Sequence, residues 1–190
     1  MNKQKVLNFG CGITNIKRKD ATLYNLDYIR RKVNNFKLHN GNYTPYPYPS
    51  NMFDEIIMKD VLEHLALYNM KGENWIKIFK ELNRILKVKG VLKIRCPHFA
   101  SCSYVMEHHT YFSCGCFYMK FKNGGLEWLG KKGEIWLKLK KCKIIFPKFN
   151  KWIGYIFNIN QRTQEVYEKY FSGIFKSTDI EVELQKYEKK

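Results

Sequence analysis

The sequence predicts an α/β protein built around one mainly parallel sheet. Three observations predict this class: short apolar or alternating runs typical of strands, apolar residues at helical spacing between two of them, and a length of 190 residues. That length suits a single domain, so we expect one active site. Strand, helix and strand in succession indicate parallel neighbours joined by right-handed crossovers.

Strand patterns occur five times in the first half of the chain and twice near its end. In order, the segments are Lys5–Phe9, Thr22–Asp27, Asn35–Leu38, Phe53–Met58, Val91–Cys96, Ile135–Phe146 and Ile180–Tyr187. The clearest helix spans Glu73–Lys87, with Gly90 as a stop signal, and a second spans Arg162–Phe175. Together these segments predict a seven-stranded sheet flanked by helices.

Glycine and polar residues follow five of the predicted strands. They are Gly10–Gly12, Asp27, His39–Asn40, Lys59–His64 and Pro97–His109. Because ligands of open α/β sheets bind beyond the carboxyl ends of the strands, these segments are the candidate functional residues. Asp60 also suits a helix N-cap, with Glu63 three residues later as in a capping box, and Glu63 and His64 can be ordinary exposed residues of that helix.

The segment Val6–Gly12 is an apolar strand that breaks into a turn with two glycines. Such a turn lets the backbone approach a nucleotide-type ligand closely, although a tight turn without a ligand would look the same. A dinucleotide site would place a third glycine where this chain has Asn15. Only about a dozen residues separate Gly12 from the second strand, which is short for a crossover helix. Both features argue against NAD.

Four segments together resemble class I S-adenosylmethionine-dependent methyltransferases of the type 11-like group. They are Val6–Gly12, Asn25–Asp27, Phe53–Leu65 and Glu81–Pro97, in the family's order and at compatible spacing. The resemblance covers residues 5–97, about half of the chain. It implies a Rossmann-like, seven-stranded, mainly parallel sheet with an antiparallel C-terminal strand near Ile180–Tyr187.

The resemblance also implies S-adenosyl-L-methionine as the cofactor, with Asp27 binding the ribose hydroxyls. The implied contacts are Asn8, Phe9, Gly10, Cys11, Gly12, Asp27, Tyr28, Asn40, Lys59, Asp60, Val61 and His64. The chain departs from the family at Asn8, where many members have an acid. It departs again at His39–Asn40, which stand in place of an adenine-contacting aspartate.

Three histidines are candidate general bases, because methyl transfer to an acceptor that must lose a proton needs a base near the donor. His98 follows the fifth strand directly, and His108 and His109 lie about ten residues later. Surface or packing roles are the alternative for each. A third interpretation is a zinc site made from the cysteines and histidines of residues 96–116, but the spacing lacks paired CxxC knuckles, so we expect no metal.

Residues 1–190 are expected to form a single methyltransferase domain. Residues 1–97 form its cofactor-binding half, and residues 98–190 supply acceptor-facing loops, the last strands and the C-terminal helix. Residues 117–160 are expected to select the acceptor. Their interleaved aromatic and basic residues could stack bases and neutralise phosphates, lie on a membrane interface, or pack beneath a cap. The expected acceptor is a small molecule or a glycan or lipid precursor. The alternatives are an RNA methyltransferase and a cofactor-binding pseudoenzyme or partner subunit.

The composition limits the other possibilities. A net charge of +17 would suit a nucleic-acid partner, but the lysines are scattered along the whole chain, which a solvated basic surface explains equally well. The longest apolar stretch, Ile144–Ile159, is interrupted by proline, lysine and asparagine and predicts no membrane span. Six cysteines without an export signal are expected to be free thiols in a cytoplasmic protein.

Overall fold

A computed structural model describes residues 3–12, 16, 18–65, 73–101, 108–122 and 135–188. Its seven strands are β1 Gln4–Phe9, β2 Ala21–Asp27, β3 Phe36–Leu38, β4 Phe53–Lys59, β5 Leu86–Pro97, β6 Leu137–Ile145 and β7 Asp179–Lys186. They form one sheet in the order β3-β2-β1-β4-β5-β7-β6. All seven predicted strands are therefore present, with ends that differ by a few residues.

The directions of the strands also follow the prediction. Strands β1 to β5 are mutually parallel, and β7 runs antiparallel to both β5 and β6. From β1 the chain passes outward through β2 to β3, and it then returns to build the other side of the sheet from β4. The strand order therefore reverses between β1 and β4, which is where open α/β sheets place their ligands.

Helix α1 covers Glu73–Ile85 and ends two residues before the predicted end. It ends there because the chain turns at once into β5, whose first residue, Leu86, pairs with Phe53. Gly90 is therefore not a helix stop but lies inside β5, next to Lys89 with its positive φ of 67°. The prediction failed here because pairing to β4 continued the chain directly from helix to strand.

The described part of the C-terminal half carries three short α-helices, a 3-10 turn at Lys148–Asn150 and one π-helical turn. The α-helices are α2 Cys114–Phe121, α3 Ile153–Phe157 and α4 Gln161–Val166, followed by the π turn Tyr167–Phe171. The single helix predicted for Arg162–Phe175 is thus an α-helix that widens into a π turn. Asn160 caps α4, since its side chain accepts from the Thr163 N–H and the Thr163 hydroxyl accepts from the Asn160 N–H.

The core lies on both faces of the central strands. In β7 the side chains of Ile180, Val182 and Leu184 are buried while the residues between them are partly exposed. This period of two is what an antiparallel strand with one fully packed face requires.

The five cysteines among the described residues are free thiols. Among the described residues, we find no helix of the length and apolar character needed to cross a bilayer.

Candidate functional site

A cleft of about 670 Å³ opens at the carboxyl ends of β1, β2 and β4. Its volume is in the range of small-molecule and cofactor sites. Eleven of the residues singled out from the sequence line it: Phe9, Gly10, Gly12, Asp27, Tyr28, Asn40, Asp60, Val61, His64, His108 and His109. Segments that are distant in the sequence therefore meet at the point where the strand order reverses.

The glycine turn after β1 forms the floor of the cleft. Gly10 and Gly12 have φ values of 66° and 51°, a region that side chains disfavour. The N–H groups of Gly10 and Cys11 both donate to the carbonyl of Leu26, which fixes the turn against β2. A Cβ atom on Gly10 would lie 2.4 Å from Cγ2 of Val61. No side chain therefore fits between this turn and the segment after β4.

Asp27 ends β2 and organises the same turn. Its side chain is almost fully buried, and its Oδ2 accepts a hydrogen bond of 2.7 Å from the Gly12 N–H. The other oxygen, Oδ1, accepts from the Ile29 N–H at 3.0 Å, and the Arg31 guanidinium lies 3.8 Å from Oδ2. The Cys11 thiol makes a weaker contact with Oδ2 at 3.9 Å. A carboxylate has about four acceptor positions, so the group keeps capacity for a further donor in the cleft.

The segment after β3 closes the cleft on the opposite side from β4. The Asn40 side-chain oxygen accepts from the Asn42 N–H at 3.0 Å, which holds a tight turn. The His39 ring Nε2 lies 2.9 Å from the carbonyl of Tyr43 and donates to it. Gly41 packs against the Phe9 ring so closely that a Cβ atom would lie 2.7 Å from Cε1. The width of the cleft at this point thus depends on a glycine.

The segment after β4 differs from its prediction. Asp60 has a positive φ of 55° and precedes a single 3-10 turn, Leu62–His64, whose N-cap position is Val61 without a side-chain hydrogen bond. The predicted capping box between Asp60 and Glu63 is therefore wrong, because the left-handed backbone at Asp60 bends the chain before a helix can begin. Glu63 is not an exposed helix residue either, since its side chain is fully buried.

Two histidines meet at the mouth of the cleft. The rings of His64 and His108 have centroids 4.8 Å apart and are inclined by 75°. The N–H of His109 donates to the carbonyl of Glu63 at 3.0 Å, which attaches the segment of His108 and His109 to the 3-10 turn after β4. Two elements more than forty residues apart in sequence therefore form one wall.

Four predicted site residues do not line the cleft. Asn8 is buried and donates from its side chain to the Asn25 oxygen at 3.3 Å. Cys11 is also buried, and its burial raises the pKa of the thiol to about 11. Lys59 is exposed and lies outside the lining. Asn8 points away from the cleft-lining Phe9 because alternate residues of a strand face opposite sides. Cys11 lies in the turn itself, with its thiol 3.9 Å from Oδ2 of Asp27.

His98 is the fourth of these residues, and the structure separates it from the cleft. Its side chain has no exposed surface. Its Nδ1 accepts from the Ala100 N–H and the Ser177 hydroxyl, and its Nε2 donates to Glu168 at 3.2 Å. Both ring nitrogens are therefore occupied in a buried network that connects β5 to the C-terminal segment. The structure therefore differs from the expectation that His98 acts as a base, because a buried ring with both nitrogens engaged is not placed to take a proton from an acceptor in the cleft.

Five lining residues were not singled out from the sequence: Leu26, Arg31, Gly41, Asn42 and Leu65. His39 also lines the cleft, as its position in the candidate segment His39–Asn40 predicts, although it was not among the implied donor contacts. Gly41 carried a signal, since it follows Asn40, and Arg31 carried a weaker one, because it lies four residues after Asp27. Leu26 belongs to β2, whereas Asn42 and Leu65 lie in loops whose geometry no local pattern encodes.

The zinc interpretation drew on the cysteines and histidines of residues 96–116, of which the structure describes all but Cys102. Among the described residues, the cluster of three or more potential metal ligands is Glu63, His64 and His108, not the cysteines. Cys102 lies outside the described residues, as do residues 123–134 within the expected acceptor-selecting region.

Comparison with known proteins adds a sequence match to this geometry. Residues 6–94, just under half of the chain, match a family model described as a methyltransferase domain. The matched span runs from β1 into β5 and includes every cleft segment except that of His108 and His109. A search of curated protein sequences gives no significant match.

Solved structures of similar fold cover nearly the whole chain. One is a SAM-dependent methyltransferase from Archaeoglobus fulgidus, with 14% identity, a TM-score of 0.62, and coverage of 97% of this chain and 86% of that one. Another is a candidate sarcosine dimethylglycine methyltransferase from Galdieria sulphuraria, with 14% identity, a TM-score of 0.59, and coverage of 97% and 79%. The [4+2]-cyclase SpnF also shares the fold, with 15% identity, a TM-score of 0.54, and coverage of 97% and 75%.

Proposed function

Through residues 6–94 this chain belongs to the class I S-adenosylmethionine-dependent methyltransferases, and from that premise we propose which residues bind the donor and the acceptor. The cleft at the carboxyl ends of β1, β2 and β4 is the proposed donor site. The observation that carries this proposal is the convergence of the glycine turn, Asp27 and the segment Asp60–His64 on one cleft. Bound there, the cofactor supplies an electrophilic methyl group on a sulfonium.

Asp27 is proposed to bind the two ribose hydroxyls. Its carboxylate is held in place by the N–H groups of Gly12 and Ile29, so its position is fixed before a ligand arrives. A hydrogen bond to an ionised carboxylate is among the stronger kinds, since the acceptor carries a full charge. The buried setting favours this contact, because few water molecules compete for the remaining acceptor positions.

The remaining lining residues suggest how the rest of the donor would lie. The glycine turn exposes backbone rather than side chains, which allows close approach by the methionine part of the donor. Asn40 and Tyr28, at the ends of β3 and β2, are the proposed neighbours of the adenine. Val61 and Phe9 supply apolar surface between the two ends.

The proposed base is His109 or His108, since both line the cleft and His98 does not. His109 is exposed at the mouth, and its backbone is anchored to Glu63. In an in-line displacement the protein mainly orients the acceptor, excludes water and accepts any proton that the acceptor must lose. An imidazole that faces both the donor site and solvent suits this task.

The proposed acceptor is a small molecule or a glycan or lipid precursor. The cleft supports a compact acceptor, because its volume of about 670 Å³ must also hold the donor. Nucleic acid is the second candidate, favoured by the net charge of +17. The two differ in salt dependence, because a polyanion that releases counterions binds much more weakly as salt rises.

Incubation with a donor that carries a deuterated methyl group tests the proposal. The purified protein and cell extract are expected to yield a product heavier by the labelled methyl, detected by mass spectrometry. His109→Ala is expected to lower the rate by roughly 100-fold or more, which is the usual contribution of a general base. The matched control is Tyr111→Ala, two residues away and outside the cleft lining, which should keep the wild-type rate.

Two other outcomes would change the proposal. An unchanged rate in the His109 variant would remove this residue as the base. Donor binding without label in any product would favour a protein that uses this fold for another purpose, as the cyclase of the same fold does.

A further inference from the structure

A buried carboxylate beside the cleft has no role in donor binding as described above. The side chain of Glu63 has no exposed surface, and neither of its oxygens has a hydrogen-bond partner among the residues that the structure describes. Burial of an ionised carboxylate without a partner is costly, so such a group normally pairs with a cation or a donor. Its burial, with a smaller contribution from the nearby charges of Asp60 and Asp179, raises the pKa of Glu63 to about 7.

Two imidazoles lie close to this carboxylate. One oxygen of Glu63 and one ring nitrogen each of His64 and His108 all lie within 4.8 Å of one another. The 3-10 turn after β4 provides Glu63 and His64, and the hydrogen bond from the His109 N–H to the Glu63 carbonyl holds His108 opposite them. The cluster therefore combines two separate chain segments that are joined by backbone contacts.

We propose that Glu63, His64 and His108 bind a divalent transition-metal ion, for which Zn²⁺ is the best match. Two histidines and one carboxylate form a ligand set that Zn²⁺ uses when it keeps a fourth position open. Zinc bonds to these ligands are about 2.0–2.2 Å long, so tetrahedral ligands lie about 3.4 Å apart. The three side chains must therefore approach one another by up to about 1.4 Å, a movement that side-chain rotation can supply.

This site differs from the one that the cysteine and histidine spacing suggested. It uses none of the cysteines, and its carboxylate comes from a segment for which an exposed helix was one of the two interpretations. The sequence does not indicate this metal site, because Glu63 and His64 are adjacent whereas His108 is more than forty residues away. Only the packing of the two segments brings the ligand atoms together.

The position of the ion would matter to the reaction. His64 and His108 line the cleft, whereas Glu63 lies behind it, so the open coordination position faces the space beside the donor. An ion there would bind a hydroxyl or carboxylate oxygen of the acceptor and favour its deprotonated form. This second step rests on the proposed function, and it assigns the acceptor to compounds with an oxygen ligand near the methylated atom.

A titration of the chelator-treated full-length protein with Co²⁺ tests the binding step without any donor present. We expect one equivalent of Co²⁺ to bind, with the visible absorption bands of a low-coordinate cobalt site, and Zn²⁺ to displace it. Glu63→Gln keeps the shape of the side chain but removes the charge, and His108→Gln removes a ligand. Each should weaken binding by more than about 100-fold, since loss of an outer-shell partner alone costs about 10- to 100-fold.

The matched control is His109→Gln, which changes the imidazole next to His108 and should bind Co²⁺ like the wild type. Absence of stoichiometric binding to the wild-type protein would overturn the proposal. Equal affinity in the Glu63 and His108 variants would also overturn it, because the ion would then be bound adventitiously elsewhere. Thermal unfolding of each variant verifies that the chain is folded before its affinity is interpreted.

A second titration separates this proposal from the donor site. Glu63→Gln is expected to bind S-adenosylmethionine like the wild type, because Glu63 does not line the cleft. Binding of Co²⁺ without any binding of the donor would leave the metal site standing and overturn the proposed function. Binding of the donor without binding of Co²⁺ would overturn the metal site alone.

Discussion

Gly10→Ala is expected to abolish measurable binding of S-adenosylmethionine. The backbone at Gly10 has a φ of 66°, where a residue with a side chain carries a strain of about 1–3 kcal/mol. The added Cβ would also lie 2.4 Å from Cγ2 of Val61, a β-branched side chain with little freedom to move away. The turn or the segment after β4 must therefore shift, and both line the cleft. Isothermal titration of the variant with the donor measures the loss.

Two controls separate this effect from general destabilisation. Gly173→Ala places a Cβ where no heavy atom of the described residues lies within 4 Å, so its donor affinity should equal that of the wild type. Val61→Ala in the Gly10→Ala background removes the two γ carbons that clash, so part of the affinity should return. Full wild-type affinity in the Gly10→Ala single variant would show that the glycine turn does not border the donor.

Asp27→Ala is expected to weaken donor binding by roughly 100- to 1,000-fold. Two ribose hydrogen bonds to a charged group, at about 1.5–2 kcal/mol each, the lower part of the usual range, account for a loss of this size. The substitution also leaves the N–H groups of Gly12 and Ile29 without their acceptor, which loosens the turn. The measurements are donor affinity by titration and the unfolding temperature by circular dichroism.

Asp27→Asn distinguishes the two contributions. It keeps one neutral acceptor for the backbone N–H groups but no charge for the ribose, so the fold should be more stable than in the alanine variant while the affinity stays low. The surface control is Asp20→Ala, whose side chain is 65% exposed in a salt bridge to Arg18 and which should leave the affinity unchanged. Equal affinities in all three variants would exclude Asp27 from the ribose site.

Much of the fold could be predicted because the strands carry strong local patterns. Ile180, Val182 and Leu184 alternate with polar residues, and Val6 to Phe9 form an apolar run before a glycine turn. The end of α1 could not be predicted, since pairing of Leu86 with Phe53 depends on a strand more than thirty residues earlier. The π turn after α4 has no local signal that we can identify.

Site residues could be predicted where they lie at or directly after the end of a strand. Gly10, Asp27 and Val61 occupy such positions and line the cleft. His98 also follows a strand, but its ring is buried and hydrogen-bonded to Glu168, which lies seventy residues away in the sequence. The cluster of Glu63, His64 and His108 was hidden for the same reason, because burial and tertiary contacts decide whether a polar residue faces a ligand or the core.

The central claim is that this cleft binds S-adenosylmethionine and not a dinucleotide. A calorimetric titration of the unmodified, full-length protein with S-adenosylmethionine, repeated with NAD, tests it most directly. The account predicts saturable one-to-one binding of S-adenosylmethionine and no binding of NAD at the same concentrations. Binding of NAD in preference to S-adenosylmethionine, or of neither ligand by folded protein, would contradict it.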